Sequence, residues 1–295
     1  MIDILGIPMP ALMGQLLLGL INGAFYAMLS LGLALIFGLL NIINFAHGAF
    51  YMLGAFVAWM SLQYLGIGYW PSLILSPLIV GAVGMAVERV FLRHLYNLNH
   101  LYGLLFTFGL ALILEGSFRQ IYGVSGQSFD IPEALSGGIN LGFIFLPVYR
   151  AWVLGAAFLM CLATWLLVEK TKLGALMRGA TENPDLVLAF GVNVPVLITL
   201  TYGLGVALSA FAGVLAAPMY SVSPLMGSHL IIIVFAVVVI GGMGSIMGAV
   251  LTGFMLGLCE GLTKVFWPEA SNVVIFVIMA IVLIIRPSGL FGKAA

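Results

Sequence analysis

The chain has 295 residues, of which 63% are hydrophobic and only 7% charged, with a formal net charge of +0 and a mean hydropathy of +1.23. A soluble domain needs charged residues over its surface, so this composition excludes one. Zero net charge argues against a nucleic-acid partner, because phosphate binding needs a basic surface. Residues 4–87 and 186–259 contain no Asp, Glu, Lys or Arg. Apolar runs of that length hold several crossings each, at roughly 20 residues per span. The expected class is therefore all-α, a polytopic helical membrane protein with a single transmembrane domain over residues 1–295.

The first six residues carry no Lys or Arg, so no cleaved signal peptide is expected. A first span is expected over residues 11–39. At ~44 Å of helix it exceeds a ~30 Å hydrocarbon core and must tilt, kink or break. Asn41-Ile-Ile-Asn-Phe-Ala-His-Gly48 follows, the one polar cluster in the first 60 residues. A second span runs to about Leu62 and a third over 71–87. Residues 88–100 form a charged connector, and a fourth span covers 101–121. There Glu115 and Arg119 stand four apart with the acid first, a favourable helical pair; Glu260 and Lys264 repeat that spacing. Residues 122–148 are the longest loop, and a fifth span covers about 151–168. A sixth, over 195–217, carries Gly205, Ser209, Gly213 and Ala217 at four-residue spacing. Such ladders let another helix approach closely in lipid.

Residues 229–265 would make ~55 Å of helix, too long for one crossing, so Gly241-Gly-Met-Gly-Ser245 marks a turn or a break. Gly253, Gly257 and Gly261 form a second ladder, and a last span covers 273–285. Cys161 and Cys259 both fall inside apolar spans and read as small core residues.

The stretch from Glu169 to Asn193 is polar in an otherwise apolar chain. Leu173, Leu176, Met177 and Ala180 recur at helical spacing in its first half. In its second half Asn183 suits an N-cap and Pro184 the first helical position. Asp185 favours the positive end of the helix, and Gly191 is placed to stop it. The stretch is either a connecting loop or a knob offered to something outside the bilayer. If 88–100, this stretch and the C-terminus share a side, that side holds Arg89, Arg93, Lys170, Lys172, Arg178, Arg286 and Lys293. Only Arg119, Arg150 and Lys264 remain for the other. Positive residues accumulate in the cytoplasm, which predicts eight or nine spans, N-out and C-in. The loop at about 169–193 is then cytoplasmic and that at about 122–148 extracytoplasmic.

No nucleotide-binding motif is present, since Gly292-Lys293 is followed by Ala294 and lacks the first glycine of a phosphate loop. His47, His94, His100 and His229 are scattered, and no paired carboxylates or His/Cys clusters suit hydrolysis or metal binding. The chain reads as a non-enzyme. Two breaks remain as candidate pathway elements, Asn41, Asn44 and His47 in one and Gly241, Gly242, Gly244 and Ser245 in the other. Each is either a tight turn at the membrane surface or broken backbone lining a substrate route.

These residues resemble a family. Asn41-Ile-Ile-Asn-Phe-Ala-His-Gly48 with Tyr51-Met-Leu-Gly-Ala55 resembles the first-half signature of LivH-type permeases of bacterial branched-chain amino acid ABC transporters. Ala180-Thr-Glu-Asn-Pro184 with Ala189-Phe-Gly-Val-Asn193 resembles their cytoplasmic coupling loop. Residues 212–218, 239–249 and 286–292 match the second-half pattern, except that Met247 stands where many relatives carry proline. The resemblance implies an inner-membrane importer subunit. Its partners would be a LivM-like second permease, two cytoplasmic ATPases that bind the ATP and Mg, and a periplasmic binding protein. It implies that Arg178, Glu182, Asn183, Pro184, Asp185, Ala189 and Gly191 couple to an ATPase. Relatives also move urea, short amides or aromatic acids. A self-sufficient secondary transporter would need intramembrane ionisable groups, for which only Glu115 and Glu260 qualify.

Overall fold

A computed structural model describes residues 3–4, 7–40, 42–96, 98–142 and 144–292. Asn41 and Lys293 lie outside the described residues. The helices are α1 (Met9–Leu40), α2 (Ala46–Leu65), α3 (Tyr69–Val90), α4 (His100–Tyr122), α5 (Val148–Lys170), α6 (Lys172–Glu182), α7 (Pro184–Ala189), α8 (Val194–Ala216), α9 (Met226–Gly241), α10 (Ile246–Phe266) and α11 (Val274–Ile285). Seven of them, α1 to α5, α8 and α10, are long and apolar enough to cross a membrane. The apolar helices α9 and α11 have 16 and 12 residues. At 1.5 Å per residue they reach ~24 and ~18 Å, short of a full crossing.

The all-α expectation holds within the membrane but not at its edges. Strand β1 (Asp3–Ile4) pairs antiparallel with β2 (Ile7–Pro8), and β3 (Gly138–Asn140) with β4 (Phe145–Pro147). The second hairpin is flanked and turned by Gly137 and Gly142, both at positive φ. Strands of two or three residues leave no alternation to read, so apolar periodicity passes over them.

Helix α1 is the centre of the bundle, with residues 23–36 all buried. Both glycine ladders meet backbone, as their spacing predicts. A β-carbon at Gly257 would stand 2.4 Å from the Gly19 carbonyl oxygen on α1, and one at Gly253 2.6 Å from Ala27. On α8, Gly205 meets α1 at Gly32, and a β-carbon at Gly213 would stand 2.1 Å from the Tyr51 carbonyl oxygen on α2. Such separations leave no room for a side chain. In lipid, where water drives nothing together, close backbone approach is a main source of helix association.

The two ends of the bundle differ. At one end the C-terminus of α1, the end of α5, α6, the α9–α10 turn and residues 288–292 surround one cavity. There Glu88, 1% exposed, accepts hydrogen bonds from Tyr96 Oη and, at 2.5 Å, from Thr199 Oγ1, which ties α3 to the start of α8. Residues 88–96, the polar stretch and residues 288–292 thus share an end, the grouping on which the charge count depends. At the other end Gln127 bridges Val222, and Gly14 of α1 lies against the β3–β4 hairpin at Ile144.

Candidate functional site

The polar stretch folds as its own residues dictate. Thr171 Oγ1 accepts from the Gly174 N–H at 3.2 Å and starts α6. Arg178 lies 3.4 Å from Glu169 and donates to the Val168 carbonyl, which closes α6 back onto the end of α5. Asn183 Oδ1 then accepts from the Leu186 N–H at 2.9 Å, Pro184 takes the first position of α7, and Asp185 sits in its first turn. Gly191, at φ +81°, ends the motif. Every cap expected from sequence is present. Beside exposed Glu182, Asn183 and Asp185, the tip also leaves large apolar side chains uncovered. Leu186 and Leu188 are each 56% exposed and Phe190 79%, whereas Val187 is turned inward. Ala189 lies exposed among them.

Gly241–Ser245 is a closed turn rather than an open stretch of helix. Gly242 and Gly244 have φ of +99° and +82°, a region that L side chains avoid. The C-terminal segment clamps the turn, with the Leu290 N–H donating to the Ile240 carbonyl at 2.8 Å and the Phe291 N–H to that of Gly241 at 3.2 Å. Ser245 Oγ accepts from the Gly248 N–H at 3.1 Å and caps α10. Met247 is the second residue of that helix, where a proline would break no helical hydrogen bond either.

The turn and the polar stretch, read separately from sequence, are brought together. Arg178, Glu182, Gly244, Ser245 and Met247 line one cavity of about 700 Å³. Gly242 faces Gly292 instead.

Asn44 and His47 belong to a different place. His47 is fully buried in the first turn of α2, with Nε2 3.0 Å from the Leu29 carbonyl of α1. A carbonyl only accepts, so Nε2 carries the proton and Nδ1 is left as an acceptor. Among the described residues His47 Nδ1, Asn44 Oδ1 and Thr252 Oγ1 are buried without partners. Asn44 Nδ2 donates to Tyr202 Oη at 3.1 Å. His47 packs against the buried middle of α1 and Asn44 against α8, and Ile42 and Asn44 of the break are buried in the bundle.

A second cavity, of about 330 Å³, lies on the far side of that middle and was not legible from sequence. Asn22, Phe25 and Tyr26 of α1, Tyr51 of α2, Tyr220, Ser221 and Ser223 of the α8–α9 loop, and Met226 and Leu230 of α9 line it. Tyr26 Oη donates to Glu260 Oε2 at 2.7 Å, and Lys264 Nζ donates to Oε1 at 2.5 Å. The expected Glu260–Lys264 pair therefore forms. The expected Glu115–Arg119 pair does not, since Glu115 turns to α9 and accepts from Ser228 Oγ at 2.6 Å while Arg119 stays exposed. A donor on a neighbouring helix wins over the local cation. Burial raises the Tyr220 phenol above its ordinary value, so it remains an O–H donor.

Comparison with known proteins fits this arrangement. The family model described as "Branched-chain amino acid transport system / permease component" matches residues 15–283. The high-affinity branched-chain amino acid transport system permease protein BraD of Pseudomonas aeruginosa is 31% identical, over 95% of this chain and 95% of its own. The corresponding LivH of Escherichia coli K12 is 29% identical over the same shares. The permease protein LivM of Salmonella typhimurium is 28% identical over 90% of this chain and 67% of its own. A multi-pass helical chain, matched along nearly its whole length, belongs to the family of branched-chain amino acid transport system permease components.

Proposed function

We propose that this chain is one of two permease subunits of an ATP-driven importer for branched-chain amino acids in a bacterial inner membrane. Its partners are a LivM-like permease, two cytoplasmic ATPases that supply ATP and Mg chemistry, and a periplasmic binding protein that delivers substrate. It crosses the membrane nine times if α9 and α11 are counted, N-out and C-in; an odd number puts the termini on opposite sides. The observation that carries the reading is α7, a helix capped from its own sequence whose Leu186, Leu188 and Phe190 are turned outward. Apolar side chains at the tip of a charged loop suit insertion into a partner's cleft. Arg178, Glu182, Asn183, Pro184, Asp185, Ala189 and Gly191 set the shape of that knob. ATP-driven closure of the ATPases pushes α7, and through α8 rocks the bundle. Gly241, Gly244, Ser245, Asn44 and His47 flank the route that opens alternately to each side. Co-reconstitution with the four partner subunits should give leucine uptake that needs both ATP and the binding protein. Uptake that persists without the ATPases would sink the reading.

A further inference from the structure

We propose that the smaller cavity, between α1, α2 and the α8–α9 loop, is the outer substrate site, taking a small net-neutral zwitterion by its charged end and a branched aliphatic side chain by its other. The inference rests on the importer reading and adds the place and the chemistry of recognition. At about 330 Å³ the cavity is at the small end of ligand pockets, ~300–1,000 Å³, which suits one amino acid and not a peptide. Among the described residues no Asp, Glu, Lys or Arg lines it. The carboxylate bonded to the lining residue Tyr26, Glu260, is taken up by Tyr26 on one oxygen and Lys264 on the other. The lining therefore has no formal charge of its own, and the cation whose field reaches it is Arg150, which acts on Tyr220; a net-charged solute would lose more on desolvation than a zwitterion.

A zwitterion finds neutral partners there. The Asn22 amide both donates and accepts, as do the Ser221 and Ser223 hydroxyls. Tyr51 is only 1% exposed yet lines the cavity, and among the described residues nothing hydrogen-bonds its hydroxyl. A phenol hydroxyl on a cavity wall with no protein partner keeps its donor and acceptor for a ligand. Met226 and Leu230, one turn apart on α9, form an apolar wall. Tyr220, 47% exposed and held edge-on by Phe25 at 6.1 Å, stands at the mouth. Beyond Tyr26 the cavity ends against the buried middle of α1. Past that middle, Ala34 and Leu35 of the same helix line the cavity of the opposite end. Neutral recognition on one side of a closed core lets the ligand leave once that core opens.

The test uses the complete complex in proteoliposomes, with leucine-loaded binding protein outside. Met226→Trp, which fills the cavity, should lower leucine uptake at least ~10-fold, the scale of a misfit in an apolar pocket. Binding-protein-stimulated ATP hydrolysis should stay within about two-fold, and adding Leu230→Ala, one turn away, should restore uptake. Tyr51→Phe, which keeps the shape, should lower uptake roughly ten-fold, as for a lost hydrogen bond to a charged group. Normal uptake by both single variants overturns the site. Loss of the stimulated ATPase together with uptake also overturns it, because the cavity would then seat the binding protein and not its cargo. A wild-type complex that takes up no leucine refutes the importer reading instead.

Discussion

The larger cavity has two walls built on opposite plans. The α9–α10 turn is held by the rest of the chain: its glycines adopt a backbone that other residues avoid, and the C-terminal segment hydrogen-bonds across it. The α6–α7 loop is shaped by its own caps, with Met177, Ala180 and Val187 anchoring it to the core. Thr171 and Asn183 cap its helices locally, Arg178 folds it back, and the tip faces outward. A wall locked by tertiary contact transmits force, and a wall whose tip is shaped by local caps can be gripped from outside at that tip. The difference explains why one motif is rich in glycine and the other carries caps and charge.

Gly242→Val should do the most damage. Its β-carbon would stand 2.4 Å from the Gly292 nitrogen at φ +99°, and such backbone strain alone costs about 1–3 kcal/mol. Loss of the complex with the ATPases, followed by copurification, is the expected result, and a normally assembled, active variant would show that the turn is not locked. Ala189→Trp should leave insertion and bundle stability intact and abolish ATP-driven uptake, because it enlarges only the exposed tip. Normal uptake with the ATPases still bound would remove α7 from the interface. Asn183→Ala should be milder. Losing an N-cap costs ~1 kcal/mol, so uptake should fall several-fold, and Asn183→Asp should recover it. Labelling changes no function but sharpens the comparison by side. Cysteine placed at Ser136 should react with an impermeant maleimide from outside intact cells and cysteine at Thr181 should not. Reaction at Thr181 from outside would invert the bundle.

Sequence alone determined what depends on near neighbours. Apolar runs located the spans, and the spacing of Asn183, Pro184, Asp185 and Gly191 placed α7 almost residue by residue, because a cap is made within three or four positions of itself. Ladders at Gly205 and Gly253 announced close helix contact, since small side chains at one-turn spacing have few other uses in lipid. Their partners, α1 and α2, came only from the tertiary structure. So did Glu115, whose local cation lost to Ser228, 113 positions away. The smaller cavity is the extreme case. Asn22, Tyr51 and Leu230 share no spacing and no motif, and they become one surface only when three helices and a loop are packed together. Local rules act over a turn or two of helix, whereas a cavity is the space that packing leaves unfilled, and no stretch of sequence contains it.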